Sequence, residues 1–142
     1  MNKTLIIDGH NYLYRSYYGI PSSAKLPNGT QVNAYYGFLS LLRKTYEYID
    51  PRNIIVIFDS ETGTKDKVNK NMDYKQNRKY IDTGMFKQLP IIKKALEYMH
   101  ITYIENPDYE ADDVAGSIAK KESENGKVYI SSQDKDFFSI DI

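Results

Sequence analysis

The sequence predicts an α/β domain: a central, mostly parallel sheet covered by helices on both faces. Two observations lead there. Short runs are apolar at consecutive positions, as in Leu5-Ile6-Ile7 and Ile54 to Phe58, which suits strands buried on both sides. Between such runs lie segments whose apolar residues recur with helical spacing, and that alternation calls for parallel pairing with right-handed crossovers.

Thr4-Leu5-Ile6-Ile7-Asp8 is too short for a helix and meets Gly9 at once, so it is read as the first strand. A short helix follows over Tyr12 to Tyr18, carrying Arg15. Pro21 to Asn33 is a loop around Pro27-Asn28-Gly29, a turn sequence by its φ preferences. From Val32 the spacing is helical through Tyr35, Leu39, Leu42, Tyr46 and Ile49, until Asp50-Pro51 stops it. Asn53 to Asp59 is the second strand. Ser60 to Thr83 has little apolar content and no clear period. Met85, Leu89, Ile92, Leu96 and Met99 mark one helix, with Pro90 tolerable only near its first turn. Ile101 to Ile104 is the third strand. Ala111, Val114, Ala115, Ile118 and Ala119 mark the next helix, Gly126 closes it, and Lys127 to Ser132 is the fourth strand.

Composition sets outer bounds. A chain of 142 residues is long enough for one domain with a real core. Lys+Arg and Asp+Glu number 19 each, so distribution, not net charge, must speak for a partner. There is no cysteine, which removes disulfides and thiolate zinc sites and fits a reducing, cytoplasmic setting. No apolar run approaches the ~20 residues of a membrane helix, and no signal peptide is visible. Tyrosine is abundant, at 14 residues, and most of these are expected to pack with the hydroxyl wet.

Acid marks the strand ends. Asp8 ends the first strand and Asp59 the second; Glu110, Asp112 and Asp113 follow the third, and Asp134 and Asp136 the fourth. In open parallel sheets ligands bind outside the carboxyl ends of the strands. Glu110, Asp112 and Asp113 fall in a helix's first turn, where one or two carboxylates serve as a cap, but three repel one another. Seven acids meeting in one cleft require counter-charge, and hard divalent cations such as Mg²⁺ or Mn²⁺ supply it through oxygen ligands. Two such ions about 3.5–4 Å apart support in-line displacement at a phosphodiester. His10 stands just past the first strand, where it can reach the site, but the favoured expectation is a solvated loop histidine; His100 is expected at a helix end.

Between Lys65 and Lys79 stand six basic residues, Lys65, Lys67, Lys70, Lys75, Arg78 and Lys79, against Asp66 and Asp73, a local excess of +4 (6 minus 2). A basic, weakly apolar insert beside an acidic cleft suits a phosphate backbone. In helical form Tyr74-Lys75-Gln76-Asn77-Arg78 sets Lys75 and Arg78 on one face, with Tyr74 adjacent for base stacking.

These segments carry a resemblance. Leu5-Ile6-Ile7-Asp8-Gly9-His10-Asn11-Tyr12-Leu13-Tyr14-Arg15, the strand ending Phe58-Asp59, Tyr74 to Arg78, Tyr109 to Val114 and Ser132 to Phe137 occur in that order. Together they resemble the 5′-nuclease family: the N-terminal 5′→3′ exonuclease domain of bacterial DNA polymerase I, its free-standing and phage relatives, and flap endonucleases. The similarity runs from about Thr4 to Phe138, and five ordered motifs make it specific. The resemblance implies a three-layer α/β/α PIN-like domain over 1–142, with 60–83 as a basic arch or clamp. It implies Mg²⁺- or Mn²⁺-dependent hydrolysis of DNA at a 5′ end or flap, with RNA cleavage also open and a polymerase in the same or another chain as partner. By position, Asp8, Asp59, Glu110, Asp112, Asp113, Asp134 and Asp136 hold the metals directly or through water. Arg15 and Lys75 contact the scissile phosphate, and Arg78 assists.

Two departures stand out. Where the family's arch usually carries an aromatic–arginine pair, this chain reads Thr64-Lys65-Asp66-Lys67. It also stops at Ile142, before the family's further strand, its additional acids and its duplex-gripping helical element, so a fragment and a naturally short relative are both open. Three other readings compete: a PIN-type ribonuclease, a catalytically silent module that binds branched DNA, and a phospho-receiver domain. The last offers no role for the basic insert.

Overall fold

The computed structural model describes residues 2–59, 84–106 and 111–132. Four strands, β1 (Asn2–Asp8), β2 (Asn53–Asp59), β3 (Thr102–Asn106) and β4 (Gly126–Ser131), form one sheet in the order β3-β2-β1-β4. Every pairing is parallel. Among the described residues they are accompanied by helices α1 (Gly9–Gly19), α2 (Asn33–Ile49), α3 (Leu89–Tyr98) and α4 (Ala111–Glu122).

The period-two alternation of each strand divides the core in two. Leu5, Ile7, Val56 and Phe58 point to the face covered by Tyr12 and Leu13 of α1, Phe38 and Leu42 of α2, and Ile92 and Leu96 of α3. Ile6 and Ile57 point to the opposite face, where Ala111, Ala115 and Ala119 form a small-residue stripe that lets α4 lie close. The result is three layers, α/β/α. Chain direction explains why α4 alone crosses to the second face. From β1 through β3 the chain moves one way across the sheet, then returns past β2 and β1 to place β4 on β1's free side. Reversing direction while keeping the crossover hand requires the opposite face. The reversal makes the carboxyl ends of β1 and β4 the topological switch point.

Local chemistry sets the boundaries. Asp50 adopts a left-handed φ of 52° and donates its N–H to the Tyr46 carbonyl, closing α2 before Pro51. Val32 gives α2 no side-chain cap. Gln88, 2% exposed, substitutes from a distance: its Oε1 accepts the Tyr35 N–H at 3.0 Å, and its Nε2 donates to Asn33 Oδ1 at 2.9 Å. Asn33 in turn donates to the carbonyls of Tyr17 and Ile20, tying the end of α1 to the start of α2.

Element boundaries shift modestly from expectation. The first helix begins at Gly9, three residues early, because Asp8 caps it. The helix expected across Met85 to Met99 is broken: a short helical piece at 84–86 is followed by a turn at Lys87 and Gln88, and α3 starts at Leu89 with Pro90 in its first turn. The third strand runs Thr102–Asn106 rather than from Ile101. Among the described residues no helix is long and apolar enough to cross a membrane.

Candidate active site

Asp8 and Asp59 end adjacent parallel strands. Asp8 stands opposite Ile57, so Asp59 lies two residues further along β2 at the same edge of the sheet. Both are followed by, or bound to, a helix N-terminus. Asp8 is 4% exposed; its Oδ1 accepts the Asn11 N–H at 3.2 Å, capping α1, and its Oδ2 accepts the Ser132 hydroxyl at 2.6 Å. Asp59 Oδ1 accepts the Ala111 N–H at 2.9 Å, at the first residue of α4. Each carboxylate therefore sits where unpaired helix N–H groups and the macrodipole favour negative charge.

The bond from Ala111 to Asp59 draws the start of α4 to the end of β2. Asp112 and Asp113 occupy that first turn, and Asp113 is exposed. Thus three separate chain segments bring expected metal ligands to one edge. Glu110, Asp134 and Asp136 lie outside the described residues, as do Lys75, Arg78, Lys65, Lys67, Lys70, Tyr74 and Lys79. Arg15 projects from α1 and is exposed, while Tyr12, Leu13 and Ser16 turn inward.

His10 corrects an expectation. It lies within α1 and is 7% exposed, not in a solvated loop. Its Nδ1 accepts the Asp59 N–H at 3.0 Å, and its ring stands edge-on to Phe58 with centroids 5.8 Å apart. The imidazole so fixes the end of β2 through the main chain. Close approach here explains Gly9: a Cβ would lie 2.5 Å from the Phe58 ring and 2.9 Å from the Ile57 carbonyl oxygen.

The donor set suits a hard divalent cation. The side chains of Asp8 and Asp59 offer oxygen only, the hard donor that such a cation takes. Asn11 Oδ1, three residues past Asp8, is buried and has no hydrogen-bond partner among the described residues. That is another hard oxygen awaiting a donor or a cation. Among the described residues no group of three or more His, Cys, Asp and Glu side chains forms a ligand cage. The described part of the expected site is two strand-end carboxylates and the turn of α4 that joins them.

Sequence reasoning missed two supporting residues, Asn11 and Ser132, and set aside a third, His10, whose nearness to the site it had raised. Asn11 was visible as the N3 partner of a capping aspartate. Ser132 stood directly before Gln133-Asp134, but nothing local says that its hydroxyl faces Asp8, 124 positions away.

A parallel α/β/α domain with carboxylates at its switch edge belongs among the PIN-like folds. Residues 3–140 match the family described as 5′-3′ exonuclease, N-terminal resolvase-like domain, and the chain belongs to that family. A 5′-3′ exonuclease of Aquifex aeolicus is 39% identical over 143 residues, covering 97% of this chain and 48% of that protein. DNA polymerase I of Caldicellulosiruptor bescii is 33% identical over 139 residues, covering 97% of this chain and 16% of the polymerase. The chain thus spans about half the length of the first relative and a sixth of the second. Among solved structures, bacteriophage T5 flap endonuclease in complex with DNA and metal ions superposes with a TM-score of 0.69. It is 22% identical and is matched over 96% of this chain and 50% of its own, a likeness of fold.

Proposed function

We propose that this chain forms the catalytic core of a divalent-metal-dependent 5′→3′ exonuclease and structure-specific 5′-flap endonuclease, hydrolysing DNA phosphodiester bonds by a two-metal-ion mechanism. The observation that carries this reading is the delivery of Asp8 and Asp59 by neighbouring strands to one edge, with α4 drawn to the same place by the Asp59–Ala111 bond.

Asp8, Asp59, Glu110, Asp112, Asp113, Asp134 and Asp136 would hold Mg²⁺ or Mn²⁺, directly or through water. When bound, such ions ease deprotonation of a water nucleophile and stabilise the departing oxygen. The chain's own part is positioning. Asp8 is oriented by donors on both of its oxygens, and Asp59 is held by its backbone from His10 and by its side chain from Ala111. Little reorganisation is then needed as charge develops on the phosphate. Arg15 and Lys75 contact the phosphate being cut, and Arg78 assists. Lys65, Lys67, Lys70 and Lys79 follow the backbone, and Tyr74 stacks on a base, with 60–83 acting as an arch over the 5′ strand. The kinship with DNA polymerase I supports a polymerase, in the same or another chain, as the working partner.

The test is cleavage of a 5′-labelled flap DNA in Mg²⁺ or Mn²⁺, in the full-length protein, by the parent and by Asp59→Ala, Asp112→Ala and Asp134→Ala. All three variants should lose turnover while still binding the flap. Parental cutting by the variants would overturn the assignment. Salt-steep flap binding with no turnover in either ion would identify a silent binding module instead. Preference for single-stranded RNA over flap DNA at matched salt would identify a ribonuclease.

A further inference from the structure

We propose that Ser132 is a positioning residue that aims the Asp8 carboxylate at the metal, an inference that rests on reading Asp8 as a metal ligand. Ser132 Oγ lies 2.6 Å from Asp8 Oδ2, a length typical of a hydroxyl donating to an ionised carboxylate. Both side chains are buried, Ser132 at 8% and Asp8 at 4% exposure. With the Asn11 N–H on Oδ1, each oxygen accepts from a donor. Donors on both oxygens fix both side-chain torsions, and a carboxylate so oriented presents its oxygens in one direction. A neutral hydroxyl does this without the positive charge that a lysine or arginine would set against the metal.

The hydroxyl can orient Asp8 only if the end of β4 is itself held. It is, from the other face. Ser131, which pairs with Ile7, points away from Ser132, and its Oγ lies 2.6 Å from the phenol oxygen of Tyr12, which is fully buried. Tyr12 lies 2.8 Å from Thr45 Oγ1, and Thr45 donates to the Leu41 carbonyl at 3.0 Å. Each hydroxyl carries one proton, so that last bond sets the direction of the row: Ser131 donates to Tyr12, Tyr12 to Thr45, and Thr45 to Leu41. Helices α1 and α2 thereby anchor β4 at the switch point, and the next residue presents its hydroxyl to Asp8. Groups that orient a ligating side chain commonly govern metal affinity without touching the metal.

The experiment is a Mn²⁺ titration followed by electron paramagnetic resonance, with thermal unfolding in parallel, on the parent chain and on Ser132→Ala, Ser132→Thr and Asp8→Ala. Ser132→Ala should weaken Mn²⁺ binding by about 10- to 100-fold. The melting midpoint should stay well above the titration temperature, and Ser132→Thr, which keeps the hydroxyl, should restore affinity. If Ser132→Ala binds Mn²⁺ as tightly as the parent while Asp8→Ala does not, the inference fails and the metal reading stands. Failure of Ser132→Thr to recover what Ser132→Ala loses would also overturn it, reducing the residue to a packing role. If the parent binds no Mn²⁺, the metal reading fails and the inference with it.

Discussion

Asp8 carries two loads, and paired substitutions separate them. As the cap of α1 it accepts the Asn11 N–H, and as the acceptor of Ser132 it satisfies a buried hydroxyl. Asp8→Ala removes both. Loss of the cap costs about 1 kcal/mol. Leaving the Ser132 hydroxyl without its acceptor costs about 1–2 kcal/mol more. The sum is about 2–3 kcal/mol, or a fall of about 6–12 °C in melting temperature for a domain of this size. Asp8→Asn is different. Its amide oxygen still caps the helix, and the Ser132 hydroxyl can rotate to accept from the amide NH₂, so stability should stay within about 1 kcal/mol of the parent. What the amide lacks is the charge. Changes to groups around a metal ligand cost about 10- to 100-fold, so loss of the ligand's charge should slow cleavage by at least about 100-fold. That corresponds to about 2.7 kcal/mol on the barrier. Single-turnover cleavage of a 5′-labelled flap in Mg²⁺, read beside thermal unfolding by circular dichroism, measures both quantities. Asp8→Asn should melt like the parent and cut poorly. If it cuts at the parental rate, Asp8 is a cap and nothing more, and the strand-end argument collapses at its best-placed residue.

Other expectations follow from the same geometry. Gln88→Met fills similar volume but strands the buried Tyr35 N–H and the Gly84 carbonyl, so it should cost about 2–4 kcal/mol in denaturant unfolding. A parental midpoint would show that α2 needs no cap from afar. Gly9→Ala puts a methyl 2.5 Å from the Phe58 ring and 2.9 Å from the Ile57 carbonyl, and the overpacking should cost about 1–3 kcal/mol. Because the displaced residues lead into Asp59, flap cleavage should fall too; unchanged stability and turnover would mean that the strand end yields freely. The Tyr103 phenol is held above its usual 10.0, first by its hydrogen bond to Glu97, then by desolvation and the charges of Glu97 and Glu105. The raised value favours the neutral phenol. The stability it contributes is present below the unfolded value and lost as pH rises through the folded one. Glu97→Gln should bring the Tyr103 midpoint down in a carbon-13 titration of labelled tyrosine; an unmoved midpoint would refute the stated cause.

The sheet was legible because apolar runs and their terminal acids are local signals. Leu5-Ile6-Ile7-Asp8 and Ile55-Val56-Ile57-Phe58-Asp59 announce both a strand and the chemistry at its end. What could not be read was whatever depends on distant pairing. Gln88 looks like a surface amide at a helix start, yet it completes α2 from 53 positions away. His10, polar and next to a glycine, reads as loop, but capping by Asp8 pulls it into α1 and beneath Phe58. The break at Lys87 and Gln88 was missed for a related reason: Met85 keeps the apolar spacing and is buried, so the periodicity runs on across a turn that interrupts the helix. In the candidate site, the positions of Asp8 and Asp59 at strand ends could be read locally, whereas the residues bonded to them could not. Supports are ordinary residue types, a serine, an asparagine and a histidine, given meaning only by what lies opposite.

That asymmetry bears on how an acidic cleft can exist before any cation enters it. Like charges at one edge raise one another's cost of ionisation, and burying Asp8 to 4% exposure adds desolvation. The fold offsets both by reusing its helix starts. Asp8 takes an N–H from the first turn of α1 and Asp59 takes one from the first residue of α4, so the two carboxylates are shared between the sheet edge and two helix N-termini. The same bonds that make the helices begin there keep the oxygens aimed. A parallel strand that runs into a helix start therefore supplies an anion site by construction, and acid placed there is tolerated without a metal and ready for one. Under the proposed function the same acids serve folding and catalysis, and amide rather than alanine substitutions are the ones that tell the two apart.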